Sequence, residues 1–579
     1  MKHKFKNKFI LISVLNYLVF LVLFENLNFQ KNLTISTLIF LFSTLLLIKT
    51  RNFELNINLS NFIYLLIIFC LNLILQNKFL QYETIDWDIS SYLVAAQDIG
   101  RGYLPLENSF ESKGPILFYM IYTMLLITNQ HLIYFKILND ILIFIYSCII
   151  YFSVSNITKS KSSSFFASSL FILLIGNKWY VMEFSEFYNL LFISASAYII
   201  TRFELSSKTF FISGILLSAG ILVNQGSVLF IIPYLIIILN QKKELKFKYF
   251  ISFLLGGLIP QLLFLTLYYI KSLLHVYIFN LIELPFLYSQ SSSLSSIYEL
   301  SVWLRGYAEF NVFTYLALIT TIFCLIITVL SRKINIGELL NNFYFQNILI
   351  SILFYFIAGH NYYHHLIYFL YFLPFCITLI KFNNLKIYIF IAIVFSSILS
   401  LKQDFKISYY NLSNIEQIYS DYPIKKLSNI INSNVDEDAS VLALDFNLML
   451  FYLNTPNYAY IIHPTNHFDE TITKRLESLK LIERNNINYL ISSEPDIVLC
   501  NTMMIIAGSP VRLDNVVDEG IKNMNWYDCR KQKFQNKYFQ IDTKEFREDK
   551  KIAFNYDPYK NMNLYIKKEK LINIELNNG

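Results

Sequence analysis

Apolar runs of about twenty residues, broken by short polar or basic stretches, fill the chain from near its start to about residue 400. A helix needs a run of that length to cross about 30 Å of hydrocarbon. The pattern predicts spans at about 9–24, 34–49, 60–80, 131–153, 164–178, 187–201, 249–270, 312–331, 344–358, 366–380 and 386–400. Two runs depart from it. Residues 116–127 are too few for an upright crossing and read as re-entrant or interfacial, or as a break in the alternation of sides. The run 209–240 is too long for one span; interrupted at "NQGS" (224–227), it reads as a helical hairpin. The sum is a polytopic α-helical membrane protein of roughly 11–13 transmembrane helices, with no visible internal repeat.

Basic residues set the orientation. "MKHKFKNK" precedes the first run and "KTR" follows the second, and both belong on the cytoplasmic side. No small-residue cleavage site follows the first run, so it reads as an anchored helix with its N-terminus inside. The third run then delivers residues 81–115 to the outer face, and 271–311 form a second long outer loop.

From about Lys402 the rhythm changes to short runs with charges between them. Residues 440–445, 457–463 and 487–493 read as strands, and 469–486 as an amphipathic helix. The expected layout is N-terminal spans (1–80), an outer loop (81–115), a membrane core (116–401) and an extracytoplasmic α/β domain (402–579).

Composition agrees. The chain is 55% hydrophobic and 15% charged, against about 25% charged in soluble domains. Its net charge of +7 is spread out and is explained by lysines at helix ends, so no nucleic-acid partner is expected. Cys70, Cys148, Cys324 and Cys376 lie in apolar runs and read as inert core residues. Cys500 and Cys529 lie in the polar region and would be free to pair in an oxidising compartment. His463 and His467 have the spacing of a helical metal pair, but Pro464 between them argues against a helix.

The candidate chemistry sits in "DWDISSYLVAAQDIGRGYLPLENSFESKGP", Asp86 to Pro115. After Asp88, the residues Tyr92, Ala96 and Ile99 recur at helical spacing, which predicts an amphipathic helix along the membrane surface. Asp86 or Asp88 equally suits a helix N-cap. Lys113 before Gly114-Pro115 equally suits a snorkelling lysine at a helix start.

Asp88, Tyr92, Ala96, Gly102, Pro105, Lys113 and Pro115 follow the order of the first outer loop of GT-C glycosyltransferases. The loop resembles more narrowly the bacterial relatives of protein O-mannosyltransferases and lipid A aminoarabinose transferases (family 39-like). A second acidic residue is usual where Ile89 stands. "FSEFYNLLFISASAYII" (184–200) is similar to the family's outer acidic residue and following helix, with Glu186 as the match. In "SGILLSAGILVNQGSVLFIIPYLI" (213–236) Asn224 replaces a common basic residue. In "GHNYYHHLIYFLYFLPF" (359–375) Gly359, Tyr362 and His364 match, while His360 replaces Arg and His365 replaces Tyr.

The resemblance covers about residues 80–400. It implies a GT-C fold and an inverting transfer of a hexosyl or pentosyl group from a polyprenyl-phosphate carrier to an envelope lipid, glycan or protein, at the outer face of a bacterial inner membrane. Asp88 would be the catalytic carboxylate, with Asp86 in reserve and Glu186 beside it. Lys113, His364 and Arg305 (in "WLRGYAEF") would meet the donor phosphate. Tyr92 and Tyr362 would position the acceptor or the loop. No protein metal site is assigned, and a divalent cation stays open as a cofactor. A lipid-linked sugar flippase, an O-antigen polymerase or ligase, and an inactive scaffold are the alternatives. A flippase would be expected to bury charges within several spans, often with repeat symmetry.

Overall fold

The computed structural model describes residues 57–84, 86–176, 183–286, 312–330, 336–357, 363–380, 383–436, 438–467, 469–484, 489–490, 493–501, 503–506, 509–512, 537–541, 543 and 562–571. The expected spans 9–24 and 34–49, with Arg305, His360, Tyr362 and Cys529, lie outside the described residues.

The helices are α1 (Ile57–Asn77), α2 (Trp87–Gly100), α3 (Pro115–Ile127), α4 (Leu132–Thr158), α5 (Lys161–Ile175), α6 (Ser185–Arg202), α7 (Ser207–Ile221), α8 (Ile232–Leu239) and α9 (Lys243–Ile270). They continue with α10 (Val312–Leu330), α11 (Phe343–Ile357), α12 (Asn383–Ser413), α13 (Pro423–Asn434), α14 (Leu448–Leu453) and α15 (Glu470–Ser478). Among the described residues three helical stretches, Asn61–Gln81, Leu132–Thr158 and Lys243–Ile270, are long and apolar enough to cross a membrane. α9 exposes Leu254, Leu255, Leu258, Ile259, Leu262 and Leu263, a surface suited to lipid rather than water. α3 begins with Pro115 in its first turn and holds 13 residues, about 20 Å of axis. It is too short to cross about 30 Å of hydrocarbon upright.

The long apolar run 209–240 is broken as its polar interruption predicts. α7 ends at Ile221, and a 3-10 turn over Gln225–Ile231 leads into α8. Glycines let α7 and α9 touch backbone to backbone. A Cβ on Gly214 would fall 2.2 Å from the Phe253 carbonyl oxygen, and one on Gly256 2.0 Å from that of Phe211.

α2 departs from the expected surface helix. Every residue from Ile89 to Asp98 is buried, and the helix is packed between α3 and α14. Its polar residues find partners there. Asn447 Nδ2 donates to Ser91 Oγ at 3.0 Å, and Gln97 Nε2 donates to the Phe451 carbonyl at 3.0 Å. Asp98 accepts from Arg101 at 2.7 Å and from Ser109 Oγ at 2.7 Å. The polar face that suggested water is a protein interface.

α12 runs from Asn383 to Ser413, so it passes Lys402, where the composition changes, without a break. Lys78 pairs with its Asp404 at 2.7 Å. Beyond it lies a small four-stranded sheet in the order β1 (Val441–Ala443), β2 (Ile497–Asn501), β6 (Met562–Lys567), β5 (Tyr538–Ile541). β1 and β2 are parallel and the other pairs antiparallel. β3 (Met503–Ile506) and β4 (Ser509–Arg512) pair as a separate ribbon. Cys500 is held in a disulfide.

Two expected strands are not strands. Residues 457–463 make only isolated bridges, Asn457 to Val441 and Ile461 to Phe110. Phe110 N donates to the Tyr460 carbonyl at 2.6 Å and Ile462 N to the Phe110 carbonyl at 3.3 Å. The segment therefore divides its backbone between the 86–115 loop and the edge of β1, where Tyr458 N donates to the Val441 carbonyl at 2.8 Å. The described residues of 487–493 include Tyr489 and Leu490 in a helical turn. The expected helix 469–486 forms over Glu470–Ser478, capped by Asp469.

Candidate functional site

Five pieces of chain meet at one place: the start of α2, the loop before α3, the start of α6, the break after α7, and the 3-10 turn Tyr363–Leu366. The loop is pinned by Gly114. Its N donates to the Val223 carbonyl at 3.2 Å, and Ile116 N donates to the Leu222 carbonyl at 3.0 Å. A Cβ at Gly114 would sit 2.1 Å from the Leu222 oxygen. Gly114→Ala is therefore expected to destabilise the protein by about 1–3 kcal/mol through overpacking. Thermal unfolding in detergent would show this, and an unchanged melting curve would refute it.

Asp86 caps α2: its Oδ1 accepts from Asp88 N at 2.9 Å and from Ile89 N at 3.4 Å. Burial, and then the charge of Asp88, pushes its carboxyl up to about 7. Asp88, two residues further in, projects its carboxylate to His463, with Oδ1 3.0 Å from Nε2. Burial alone would raise the Asp88 carboxyl. The hydrogen bond and charge of His463, with the charge of Lys113, hold it well below the usual range instead. Burial likewise opposes the charge on His463, but Asp88, Glu111 and Asp86 outweigh it and raise the imidazole. The Trp87 ring meets the His463 ring edge-on at 6.3 Å, and Trp87 Nε1 donates to Asp445 at 2.8 Å. Residues of the C-terminal unit thus complete the start of α2.

Lys113 is half-buried. Burial disfavours its ammonium, but Asp88, Glu186 and Glu111 outweigh that and raise it. Among the described residues its Nζ makes no hydrogen bond or ion pair. Glu111 is fully buried, and its carboxylate accepts from Ser112 N at 2.7 Å. Tyr92 is buried too; burial and the charges of Asp88, Glu111 and Glu186 keep its hydroxyl protonated.

Glu186 stands in the first turn of α6, where helix amides favour a negative charge. Asn224 Nδ2 donates to its Oε1 at 2.8 Å and Ser185 Oγ to its Oε2 at 3.1 Å. His365 Nε2 lies 3.6 Å from Oε1, and His364 Nε2 lies 3.9 Å from Oε2.

Two solved structures share this architecture. One is the crystal structure of ArnT from Cupriavidus metallidurans bound to undecaprenyl phosphate, with TM-score 0.52 and 9% identity over 76% of this chain and 93% of that one. The other is the same protein in the apo state, with TM-score 0.51 and 8% identity over 76% of this chain and 94% of that one. The chain shares the fold of these two structures. No family model matches the sequence, and no curated protein matches it.

On this frame the expected residues Asp86, Asp88, Tyr92, Lys113, Glu186 and His364 converge, linked by the contacts and charges above. Arg305 and Tyr362 lie outside the described residues. Sequence reasoning missed His463, His365, Asn224 and Glu111 as members of the site. Asn224 had a signal, as the polar residue that breaks the 209–240 run. His463 had only its spacing to His467, which pointed to a metal pair. Pro464–His467 is in fact a 3-10 turn that turns His463 toward α2.

His463→Asn would remove the group that most depresses the Asp88 carboxyl. A reaction that needs Asp88 ionised loses rate as pH falls through its pKa. Without His463 that value rises, so the acid limb of the pH–rate profile is expected to move to higher pH. An unmoved limb would uncouple His463 from the reaction.

Proposed function

We propose that the protein is an integral-membrane glycosyltransferase. It moves a hexosyl or pentosyl group from a polyprenyl-phosphate carrier to an envelope lipid, glycan or protein, at the extracytoplasmic face of a bacterial inner membrane and with inversion. In this reading the C-terminal unit lies on that face too. The observation that supports the reading best is a carboxylate, Asp88, held 3.0 Å from His463 in the same site as Lys113, whose ammonium makes no hydrogen bond or ion pair among the described residues. The carboxylate suits an acceptor and the ammonium a phosphate. The acceptor oxygen attacks the anomeric carbon as the bond from that carbon to the phosphate oxygen breaks. The leaving electron pair stays on the polyprenyl phosphate, stabilised by Lys113 with Arg305 and His364. An acceptor hydroxyl gives its proton toward Asp88. A carboxylate held this low takes a proton reluctantly, so an acceptor already ionised suits it better. Asp88 then orients the acceptor and stabilises positive charge developing on the sugar. Tyr92 and Tyr362 position the loop and the acceptor.

The test is purified protein in lipid vesicles, given radiolabelled polyprenyl-phosphate sugars and an envelope extract. Label is expected to leave the carrier and appear in one acceptor class. Lipid that crosses the bilayer with no bond cleaved would replace this reading with a flippase.

A further inference from the structure

We propose that Glu186, His364 and His365 form a binding site for one divalent first-row transition metal, with zinc the best match. One ligand atom from each of the three lies within 4.8 Å of the others, and all three side chains are buried. Two neighbouring histidines turn both Nε2 atoms to one carboxylate, at 3.6 Å and 3.9 Å from its two oxygens. Those separations are too long for hydrogen bonds. They suit ligands arranged around a common ion: at zinc–nitrogen and zinc–oxygen bonds of about 2.0–2.1 Å, tetrahedral ligands stand roughly 3.3 Å apart. The two histidine–carboxylate pairs need to close by a few tenths of an ångström, and no pair of the ligand atoms starts more than 4.8 Å apart.

Ring contacts and hydrogen bonds hold the ligand side chains in place. Phe184 stacks on His364, with centroids 4.1 Å apart and planes at 12°, and Phe354 meets His365 edge-on at 5.6 Å. Asn224 and Ser185 orient the carboxylate through one hydrogen bond to each oxygen, which leaves each a further lone pair. Two imidazoles and one carboxylate suit zinc better than magnesium or calcium, which prefer all-oxygen shells. Three protein ligands leave one coordination position open. His365 stands where the resembling family has tyrosine, so this ligand set belongs to this chain.

The test uses the full-length protein in detergent, stripped by chelator and dialysed against zinc chloride alone. The expected result is one zinc retained per chain by elemental analysis, with two imidazoles in its shell by zinc-edge X-ray absorption. His365→Asn and Glu186→Gln are expected to weaken retention by more than about 100-fold, beyond the usual effect of a supporting residue. His131→Asn is the control: its imidazole faces Glu416 at 3.6 Å elsewhere in the fold, and this variant is expected to keep the metal. No retained zinc, a shell without imidazole, or equal retention by His365→Asn would overturn the proposal. The absorption measurement on the unmodified protein does not depend on any variant folding. No sugar donor is present, so failure here leaves the transfer reading standing.

Discussion

Asp88→Asn is expected to cut sugar transfer by about 10²–10⁴-fold, the usual worth of a positioned acid–base group. Asparagine keeps the shape and an oxygen that can accept from His463, but it carries no charge. The fold should survive, because α2 is held by other means. Asp86 still caps it, Trp87 still bonds Asp445, and the Phe110–Tyr460 bridge still ties the loop to the C-terminal unit. His463 loses its strongest reason to be protonated, so no buried unpaired cation is left behind. Asp86→Ala is the necessary contrast. It removes a helix cap and should cost about 1 kcal/mol of stability, with a smaller loss of turnover than Asp88→Asn. Radiolabel transfer and thermal unfolding, measured on both variants, separate the two roles. If Asp86→Ala abolished transfer while Asp88→Asn kept it, the assignment of the two carboxylates would be reversed. The size of the Asp88→Asn loss also informs on the acceptor. A hydroxyl acceptor needs its proton taken and should show the upper end of the range. An ionised phosphate needs no base and should show the lower end.

The parts legible in the sequence are those governed by local rules. Asp at the head of an apolar-periodic stretch forecast the cap of α2, and Pro115 forecast the start of α3. "NQGS" forecast the break after α7, because a polar group inside an apolar run must find a partner, and Asn224 finds Glu186. The misreadings have one cause: the partner lay far along the chain. α2 reads as a surface helix because nothing near Ser91 and Gln97 in sequence shows that Asn447 and the Phe451 carbonyl will cover them. Residues 457–463 carry a strand-like pattern, and they do pair in an extended manner, but only through single bridges, Asn457 to Val441 of β1 and Ile461 to Phe110 of the loop. His463 arrives at Asp88 through that same pairing. A site shared between two units is invisible to periodicity, which reports only on neighbours within one element.

Lys113→Met is expected to lower kcat by about 10²–10³-fold, the loss typical of removing one electrostatic stabiliser of a developing oxyanion, and to raise KM for the polyprenyl-phosphate donor. Methionine keeps an apolar stem at this half-buried position and deletes only the ammonium. The ammonium is well placed to act on a ligand. Gly114 fixes the adjacent backbone against Leu222 and Val223, so the charge needs little ordering when phosphate arrives. The charges of Asp88, Glu186 and Glu111 keep it protonated, and it has no hydrogen bond or ion pair to surrender among the described residues. A second effect follows from the same charges. Lys113 helps to depress the Asp88 carboxyl, so the variant's acid limb should move to higher pH, as in His463→Asn but by less. A lysine that only snorkels at a helix start would show neither change. Lys113→Arg distinguishes charge from shape: guanidinium keeps the charge but spreads it over a rigid planar fork. Transfer by the arginine variant should therefore lie between the lysine and methionine forms. If the arginine and methionine variants were equally slow with unshifted acid limbs, the position would matter for its packing and the phosphate would have to be held by other residues.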